Sequence, residues 1–169
     1  MLVNERDEET GTEEKLAAHR RGLLHRAFSV FVFDMRGNLL LQRRADGKYH
    51  SAGLWSNTCC GHPRPGEDIL AAAHRRLMEE MGFDCPLTHR FTFTYRADLD
   101  QDLVEHELDH VFEGRHADPP EPDPTEVSEW RRAPVAALLI DLSKNPGRYS
   151  AWLRRALEGL RERGALPAA

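Results

Sequence analysis

Short runs of apolar, β-branched and aromatic residues are separated by polar turns along much of the chain. Such runs predict β-strands, and a short polar turn between two of them predicts a hairpin. The strand at 54–62 is expected to end at Gly61, and the last two long runs are expected to form a hairpin. The predicted strands cover residues 27–34, 39–44, 54–62, 90–99, 103–114 and 127–133.

One segment, residues 67–81, carries its apolar positions at helical rather than strand spacing. Ile69, Ala73 and Leu77 are four residues apart and therefore lie on one face of a helix. Gly82 follows directly, and a glycine in this place is typical of a helix C-cap. The pattern predicts one helix between a Gly- and Pro-rich loop and Gly82.

The remaining helical segments complete an α+β pattern. Strands and helices mix without regular βαβ alternation, so the predicted fold class is α+β, with helices on both faces of a mixed sheet. We expect one domain over residues 15–169, preceded by an acidic tail or short edge strand at 1–14. The other helical segments are one turn within 13–27, a helix over 134–142 and an amphipathic closing helix within 148–164.

Composition narrows the class of protein. Of 169 residues, 40% are apolar and 30% charged, which is typical of a globular domain. The net charge of −5 offers no basic surface for nucleic acid or for a membrane, and the longest apolar runs are too short to span a bilayer. The acidic N-terminus does not resemble a signal peptide, so we expect a cytoplasmic protein with reduced cysteines. A monomer is the expected state.

The stretch SNTCCGHPRPGE places a thiol, Cys60, and an imidazole, His62, just before the predicted helix. That helix carries Glu79 and Glu80 close to Arg76, and on charge alone these residues would form a solvated face with ion pairs. The preceding loop changes this interpretation, because its backbone N–H groups can bind an anion at the start of the helix.

The spacing of these residues resembles the Nudix box. The matching positions are Gly61, Glu67, Arg75, Leu77, Glu79, Glu80, Gly82 and Phe83. One position departs, because Arg76 stands where the box has a glutamate. In Nudix hydrolases the box glutamates hold magnesium for diphosphate hydrolysis, and a cation at this position favours direct binding of a diphosphate. The resemblance therefore implies a Nudix-type α/β/α sandwich without ordinary Nudix hydrolysis.

A more specific resemblance accounts for this departure. The segments EKLAAH, GLLHRAFSVFVF, LLLQRRA, GLWSNTCCGHP, YRA, VEHEL and YSAW follow in this order over residues 13–153. Together they resemble type 1 isopentenyl-diphosphate Δ-isomerases, which are Nudix-fold enzymes of isoprenoid biosynthesis. The resemblance implies an isomerase that interconverts isopentenyl diphosphate and dimethylallyl diphosphate, with a small-molecule substrate as its partner.

The resemblance also implies a role for particular residues. The catalytic positions are Cys60 and Glu107, with Tyr95 supporting Glu107. The metal ligands are His19, His25, His62, Glu105 and Glu107, and Glu80 reaches a magnesium on the substrate diphosphate. The substrate-binding positions are Lys15, Arg44, Lys48 and Arg76 for the diphosphate and Trp152 for the hydrocarbon.

The residue types agree with these roles. Glu105 and Glu107 are two apart on a predicted strand, so they share a face, whereas His106 points the other way. Three imidazoles and two carboxylates suit Zn²⁺ or Mn²⁺, with Mg²⁺ also possible. Cys59 and Cys85 are expected to be buried apolar residues. The remaining histidines, His50, His74, His89, His106, His110 and His116, are expected to be scattered over the surface.

Two other functions remain open from the sequence. A Nudix hydrolase acting on a nucleoside diphosphate derivative would share the box, but Arg76 is unfavourable for it. A metal-sequestering domain would share the His and Glu residues, but it would need neither Cys60 nor the cations Arg44, Lys48 and Arg76.

Overall fold

The computed structural model describes residues 1–48 and 50–166. The strands are β1 (Leu2–Val3), β2 (Glu9–Gly11), β3 (His25–Phe33), β4 (Asn38–Arg44), β5 (Trp55–Ser56), β6 (Cys59–Gly61), β7 (Leu87–Asp98), β8 (Val104–Arg115) and β9 (Val127–Pro134). The helices are α1 (Lys15–Arg21), α2 (Ile69–Met81), α3 (Val135–Lys144) and α4 (Ala151–Glu162), with 3₁₀ turns at Asp100–Asp102 and Pro146–Arg148.

Strand β3 is the centre of a mixed sheet formed by the nine strands of the described residues. Strand β8 runs parallel to β3 over its full length, and β7 pairs antiparallel with β8. Strands β1, β6 and β4 pair antiparallel with β3, and β9 pairs antiparallel with β4. The parallel register sets His25 opposite Glu107, which are far apart in the sequence.

Two apolar cores lie on opposite faces of the sheet. On one face, α3 and α4 pack through residues such as Leu138 and Leu157 against Phe31 and Phe33 of β3. On the other face, α2 packs its apolar stripe, which includes Leu77, against alternate residues of β3. Helices therefore cover both faces, as the sequence predicts for an α+β sandwich. None of the helices described here combines the length and the apolar character needed to cross a bilayer.

The predicted strand at 54–62 is wrong in its continuity, because it is two short strands separated by Asn57 and Thr58. Asn57 Nδ2 donates to the carbonyl oxygens of Val30 and Cys59, at 3.1 and 2.6 Å. Thr58 Oγ1 donates to Leu40 O at 2.6 Å. These buried side chains bond to the backbone in place of a regular strand ladder, and the strand breaks there.

The N-terminal residues form a hairpin at the edge of the sheet. Of the two forms expected from the sequence, an acidic tail or a short edge strand, the structure shows the second. Leu2 of β1 pairs with His25 of β3, and β1 pairs with β2. Arg26 Nε donates to Asp7 Oδ1 at 2.7 Å, and His110 Nε2 lies 2.9 Å from Asp7 Oδ2. These contacts hold the acidic segment against β3 and β8.

Candidate active site

A cavity of about 440 Å³ opens where α1, β6, the second half of α2 and β8 meet. One part of its wall, the basic end, carries the cations with Glu80 and Glu126 among them, and another part carries Glu105 and Glu107. The wall also includes the thiol of Cys60 and the indole of Trp152. Every predicted site residue except His19, His25 and Tyr95 lines it, and these three lie directly behind its wall. The lining residues that were predicted are Lys15, Arg44, Lys48, Cys60, His62, Arg76, Glu80, Glu105, Glu107 and Trp152.

Four of the predicted ligands form one cluster. The donor atoms of His19, His25, His62 and Glu107 all lie within 4.8 Å of one another. His62 Nε2 lies 2.8 Å from Glu107 Oε1 and 3.2 Å from His25 Nε2. The four residues come from α1, β3, the end of β6 and β8, so the register of the sheet and the packing of α1 assemble the cluster.

The protonation of the histidines fits a divalent cation. His19 Nδ1 lies 2.7 Å from Lys15 O, and His25 Nδ1 lies 2.8 Å from Leu23 O. A carbonyl only accepts hydrogen bonds, so Nδ1 of each ring donates to it and Nε2 faces the cluster. Burial lowers the pKa of His62 to about 3, although its hydrogen bond to Glu107 opposes this, so the His62 ring is neutral. Neutral imidazoles held through their second nitrogen are the form that binds metals.

Two carboxylates and a phenol form the acidic wall. Glu105 and Glu107 alternate on β8 and face the same side, as predicted, and both are buried. The hydroxyl of Tyr95 donates to Glu107 Oε2 at 2.6 Å and lies 3.0 Å from Glu105 Oε2. Burial would raise the pKa of Glu107, but hydrogen bonds from His25 and His62 lower it well below its usual value. Burial and the charge of Glu107 raise the pKa of Glu105 well above its usual value. Glu107 is therefore the more acidic of the two carboxyl groups.

His50 was predicted to be a surface residue, and the structure shows that this is wrong. The residue is only 5% exposed, and it forms a second group of metal-ligand type with His19 and Glu105. Arg44 donates to the His50 carbonyl at 3.1 Å, which turns this part of the loop toward the cavity. Burial lowers the pKa of His50 to about 3, and Arg44 contributes to the shift. A loop without periodicity gives no sequence signal for such a position.

The two adjacent cysteines point to opposite sides of the sheet. Cys59 is fully buried in the core under α2, as predicted. Cys60 pairs with Ser29 of β3, and both line the cavity. Burial raises the pKa of the Cys60 thiol to about 12, although Arg44 opposes this, so the group carries its proton at neutral pH. The strand period explains why only one of the two thiols reaches the cavity.

One cation at the basic end of the cavity has a hydrogen-bond donor that no described residue accepts. Arg44 is 8% exposed, and its Nε has no hydrogen-bond partner within residues 1–48 and 50–166. Arg76 donates to Glu79 at 2.7 Å and to Glu80, which also accepts from Gln42 Nε2 at 2.8 Å. A buried guanidinium with an unused donor is the arrangement expected of a site that receives an anion.

Trp152 closes the cavity opposite the sheet. The residue is 3% exposed, and its Nε1–H donates to Asn57 Oδ1 at 2.9 Å. This hydrogen bond fixes the plane of the indole, which lines the cavity, and the guanidinium of Arg44 lies over the ring at 5.7 Å from its centroid. The His50 ring approaches it edge-on with a centroid distance of 6.4 Å.

The outer residues of the Nudix box stabilise the helix that carries Arg76 and Glu80. Arg75 Nε and Nη2 donate to the two carboxylate oxygens of Glu67, at 2.7 and 2.8 Å. Glu67 also accepts from the backbone N–H of Arg64 at 2.7 Å. This two-point contact ties the loop after β6 to α2 and sets the position of the helix relative to Cys60.

Comparisons with known proteins agree with this geometry. A family model described as NUDIX domain matches residues 23–153. The chain is 54% identical over 158 residues to isopentenyl-diphosphate Delta-isomerase 1 of Aromatoleum aromaticum, covering 94% of this chain and 89% of the relative. It is 51% identical over 163 residues to an isopentenyl-diphosphate Delta-isomerase of Streptomyces griseus, covering 95% and 82%.

A solved structure shows the same fold. The crystal structure of DR0079 from Deinococcus radiodurans superposes with a TM-score of 0.78 at 21% identity, covering 93% of this chain and 95% of that one. At this identity the likeness concerns the fold alone, whereas the relatives at about half identity fix the family. The chain therefore belongs to the isopentenyl-diphosphate Delta-isomerase family and has a Nudix fold.

Proposed function

We propose that this protein interconverts isopentenyl diphosphate and dimethylallyl diphosphate by moving one proton onto the alkene and removing another. The observation that carries the proposal is that Cys60 and Glu107 line the same cavity as Trp152 and the cations. The relatives that cover most of the chain carry this activity in their names.

The diphosphate anchors the substrate at the basic end. Lys15, Arg44, Lys48 and Arg76 line this end. The unused Nε donor of Arg44 is suited to a phosphate oxygen. Binding energy from the diphosphate positions the short hydrocarbon between the two catalytic groups, so the anchor contributes to orientation as well as affinity.

Two groups then move the double bond. A proton added to the terminal alkene carbon gives tertiary carbocation character, and loss of a proton from the carbon on the other side completes the isomerisation. Cys60 and Glu107 are the acid and base, and Tyr95 holds Glu107 through the 2.6 Å hydrogen bond. The face of Trp152, fixed by Asn57, stabilises the developing positive charge by a cation–π contact.

Two divalent cations belong to this proposal. His19, His25, His62, Glu105 and Glu107 would hold Zn²⁺, Mn²⁺ or Mg²⁺, and Glu80 would reach a Mg²⁺ carried by the substrate diphosphate. When bound, the first cation supplies positive charge that keeps Glu107 ionised and fixed in orientation. We further propose a monomer that acts in the cytoplasm on this small molecule.

Proton and phosphorus NMR of the purified protein with isopentenyl diphosphate and Mg²⁺ tests the function. New dimethylallyl signals with an intact diphosphate are expected, and Cys60→Ala protein should give none. Release of inorganic phosphate or pyrophosphate would instead indicate a hydrolase. No change in either spectrum, with bound metal verified by elemental analysis, would reject the isomerase and favour metal sequestration.

A further inference from the structure

Glu126 lies at the basic end of the cavity, in a place that no sequence motif indicates. It immediately precedes β9, and its carbonyl accepts from Ala45 N at 3.0 Å, which ties it to the end of β4. Its carboxylate forms an ion pair with Lys48 Nζ, and its Oε2 lies 3.2 Å from Arg76 Nη2. The carboxylate therefore bridges two of the cations that line the cavity.

This contact places an internal anion where a diphosphate is expected. A carboxylate presents the same kind of oxygen to an ammonium or guanidinium group as a phosphate does. A diphosphate that engages Lys48 and Arg76 competes with the Glu126 carboxylate for these two cations and must lie close to it. The side chains of Arg76 and Glu126 are only 21% and 22% exposed, so water screens the resulting repulsion incompletely.

The second carboxylate at Arg76 increases this repulsion. Glu80 also pairs with Arg76 Nη2, and its side chain is almost completely buried. A metal-free diphosphate would thus bring several negative charges beside two carboxylates that share the same cationic partner. A diphosphate complexed with a divalent cation brings less negative charge and offers these carboxylates a new positive partner.

We propose that Glu126 is a specificity-determining residue that disfavours metal-free diphosphates and so selects the metal-complexed substrate. Selection by an unfavourable charge is a general route to specificity, because it weakens the competing ligand more than the correct one. The inference rests on the proposed function, in which Lys48 and Arg76 hold the diphosphate.

Calorimetric titration with inorganic pyrophosphate tests this role. Wild-type and Glu126→Gln proteins are compared in EDTA and in excess Mg²⁺. In EDTA, Glu126→Gln should bind pyrophosphate about tenfold more tightly than wild type, the size of effect typical of one removed charge contact. The factor by which Mg²⁺ increases the affinity for pyrophosphate should therefore be smaller in Glu126→Gln than in wild type. Glu121→Gln is the matched control, because it removes the same charge from an exposed side chain in the loop before Glu126.

A second variant at the same position keeps the test informative if Glu126→Gln folds poorly. Glu126→Asp keeps the charge but is shorter by one methylene, so its metal-free affinity should fall between wild type and Glu126→Gln. Equal metal-free affinities in wild type, Glu126→Gln and Glu121→Gln, with Mg²⁺-dependent binding intact, would overturn the role of Glu126 alone. If wild type bound no pyrophosphate even with Mg²⁺, the diphosphate anchor itself would be wrong, and both proposals would fall.

Discussion

Replacing Cys60 should impair catalysis and leave the fold intact. Its side chain lines the cavity and forms no hydrogen bond that holds the sheet together among the described residues. Cys60→Ser should therefore lower kcat by at least about 10²-fold, as for loss of a general acid or base. The KM for isopentenyl diphosphate should change much less, because the diphosphate is held elsewhere. Initial rates by NMR measure both.

The control for this prediction is Cys85→Ala, which changes a buried cysteine outside the cavity. It should retain wild-type kcat with only a small loss of stability. Near-normal turnover by Cys60→Ser would show that another group moves the proton, and equal losses in both variants would point to a general effect on the fold.

At the scale of single residues, the structure places most of the residues predicted from the sequence around one cavity. Cys60 and His62 lie in a short recognisable stretch, and the two-residue strand period placed Glu105 and Glu107 on one face. His50 could not be predicted, because its loop has no period. Glu126 was also beyond prediction, since the pairing of Arg44 with Val127 brings it to the cavity from a distant part of the chain.

Helix α2 ends at a glycine whose conformation and surroundings both restrict substitution. Gly82 has φ of +73°, and a Cβ there would lie 2.3 Å from the carbonyl oxygen of Glu121. Gly82→Ala should destabilise the protein by roughly 2–4 kcal/mol, from left-handed strain plus a clash with backbone. Gly66 has φ of +75° but no neighbour within 4 Å of such a Cβ, so Gly66→Ala should cost only about 1–2 kcal/mol.

Urea unfolding followed by circular dichroism measures both glycine variants. The difference between them isolates the contact with Glu121 from the shared backbone strain. Equal free energies of unfolding would mean that the loop at Glu121 moves away at no cost.

The ion pair that ties the loop to α2 should give stability that depends on pH. The hydrogen bonds from Arg75, together with one from the backbone of Arg64, lower the pKa of Glu67 from 4.5 to about 2. A carboxyl with a lowered pKa in the folded state stabilises it above the ordinary pKa, and this contribution is lost as the pH falls toward the folded value. Glu67→Gln should therefore be less stable by about 1 kcal/mol at pH 7, since the pair is partly exposed.

Measuring the stability of wild type and Glu67→Gln at several pH values tests whether the charge of Glu67 causes the difference. The difference in free energy of unfolding between wild type and Glu67→Gln should shrink between pH 4.5 and pH 2. A difference that stayed constant over this window would mean that lost packing, and not charge, causes the destabilisation. Chemical denaturation at several pH values measures it.

Helices and strands were predictable from the sequence where a regular pattern of apolar residues continues over many positions. The helix at 67–81 and the hairpin of β7 and β8 agree with the structure, because each carries a regular pattern over many residues. The broken strand between β5 and β6 was not predictable, since the buried hydrogen bonds of Asn57 and Thr58 depend on partners in β3 and β4.

Across the whole molecule, the His and Glu cluster joins parts of the chain that no local pattern connects. His19 lies on α1, His62 follows β6, and Glu107 lies on β8 beside β3. The parallel pairing of β3 with β8 creates this arrangement, and periodicity predicts strands without saying which of them are neighbours. The family resemblance supplied the ligand set, and the register gives its physical explanation.

Because the cluster exists only in the folded chain, a cation bound there should stabilise the whole protein. At 100 times its Kd, a ligand specific to the folded state contributes about 2.7 kcal/mol, or roughly 5–10 °C in Tm at this length. Treatment with EDTA should lower the Tm of wild type by this amount, and added Zn²⁺ or Mn²⁺ should restore it. His25→Ala should lose the response, whereas His74→Ala, whose ring pairs with Asp84 away from the cavity, should keep it. Calorimetric scans at fixed protein and metal concentrations measure these shifts. An EDTA response of equal size in His25→Ala and wild type would place the stabilising cation elsewhere in the molecule.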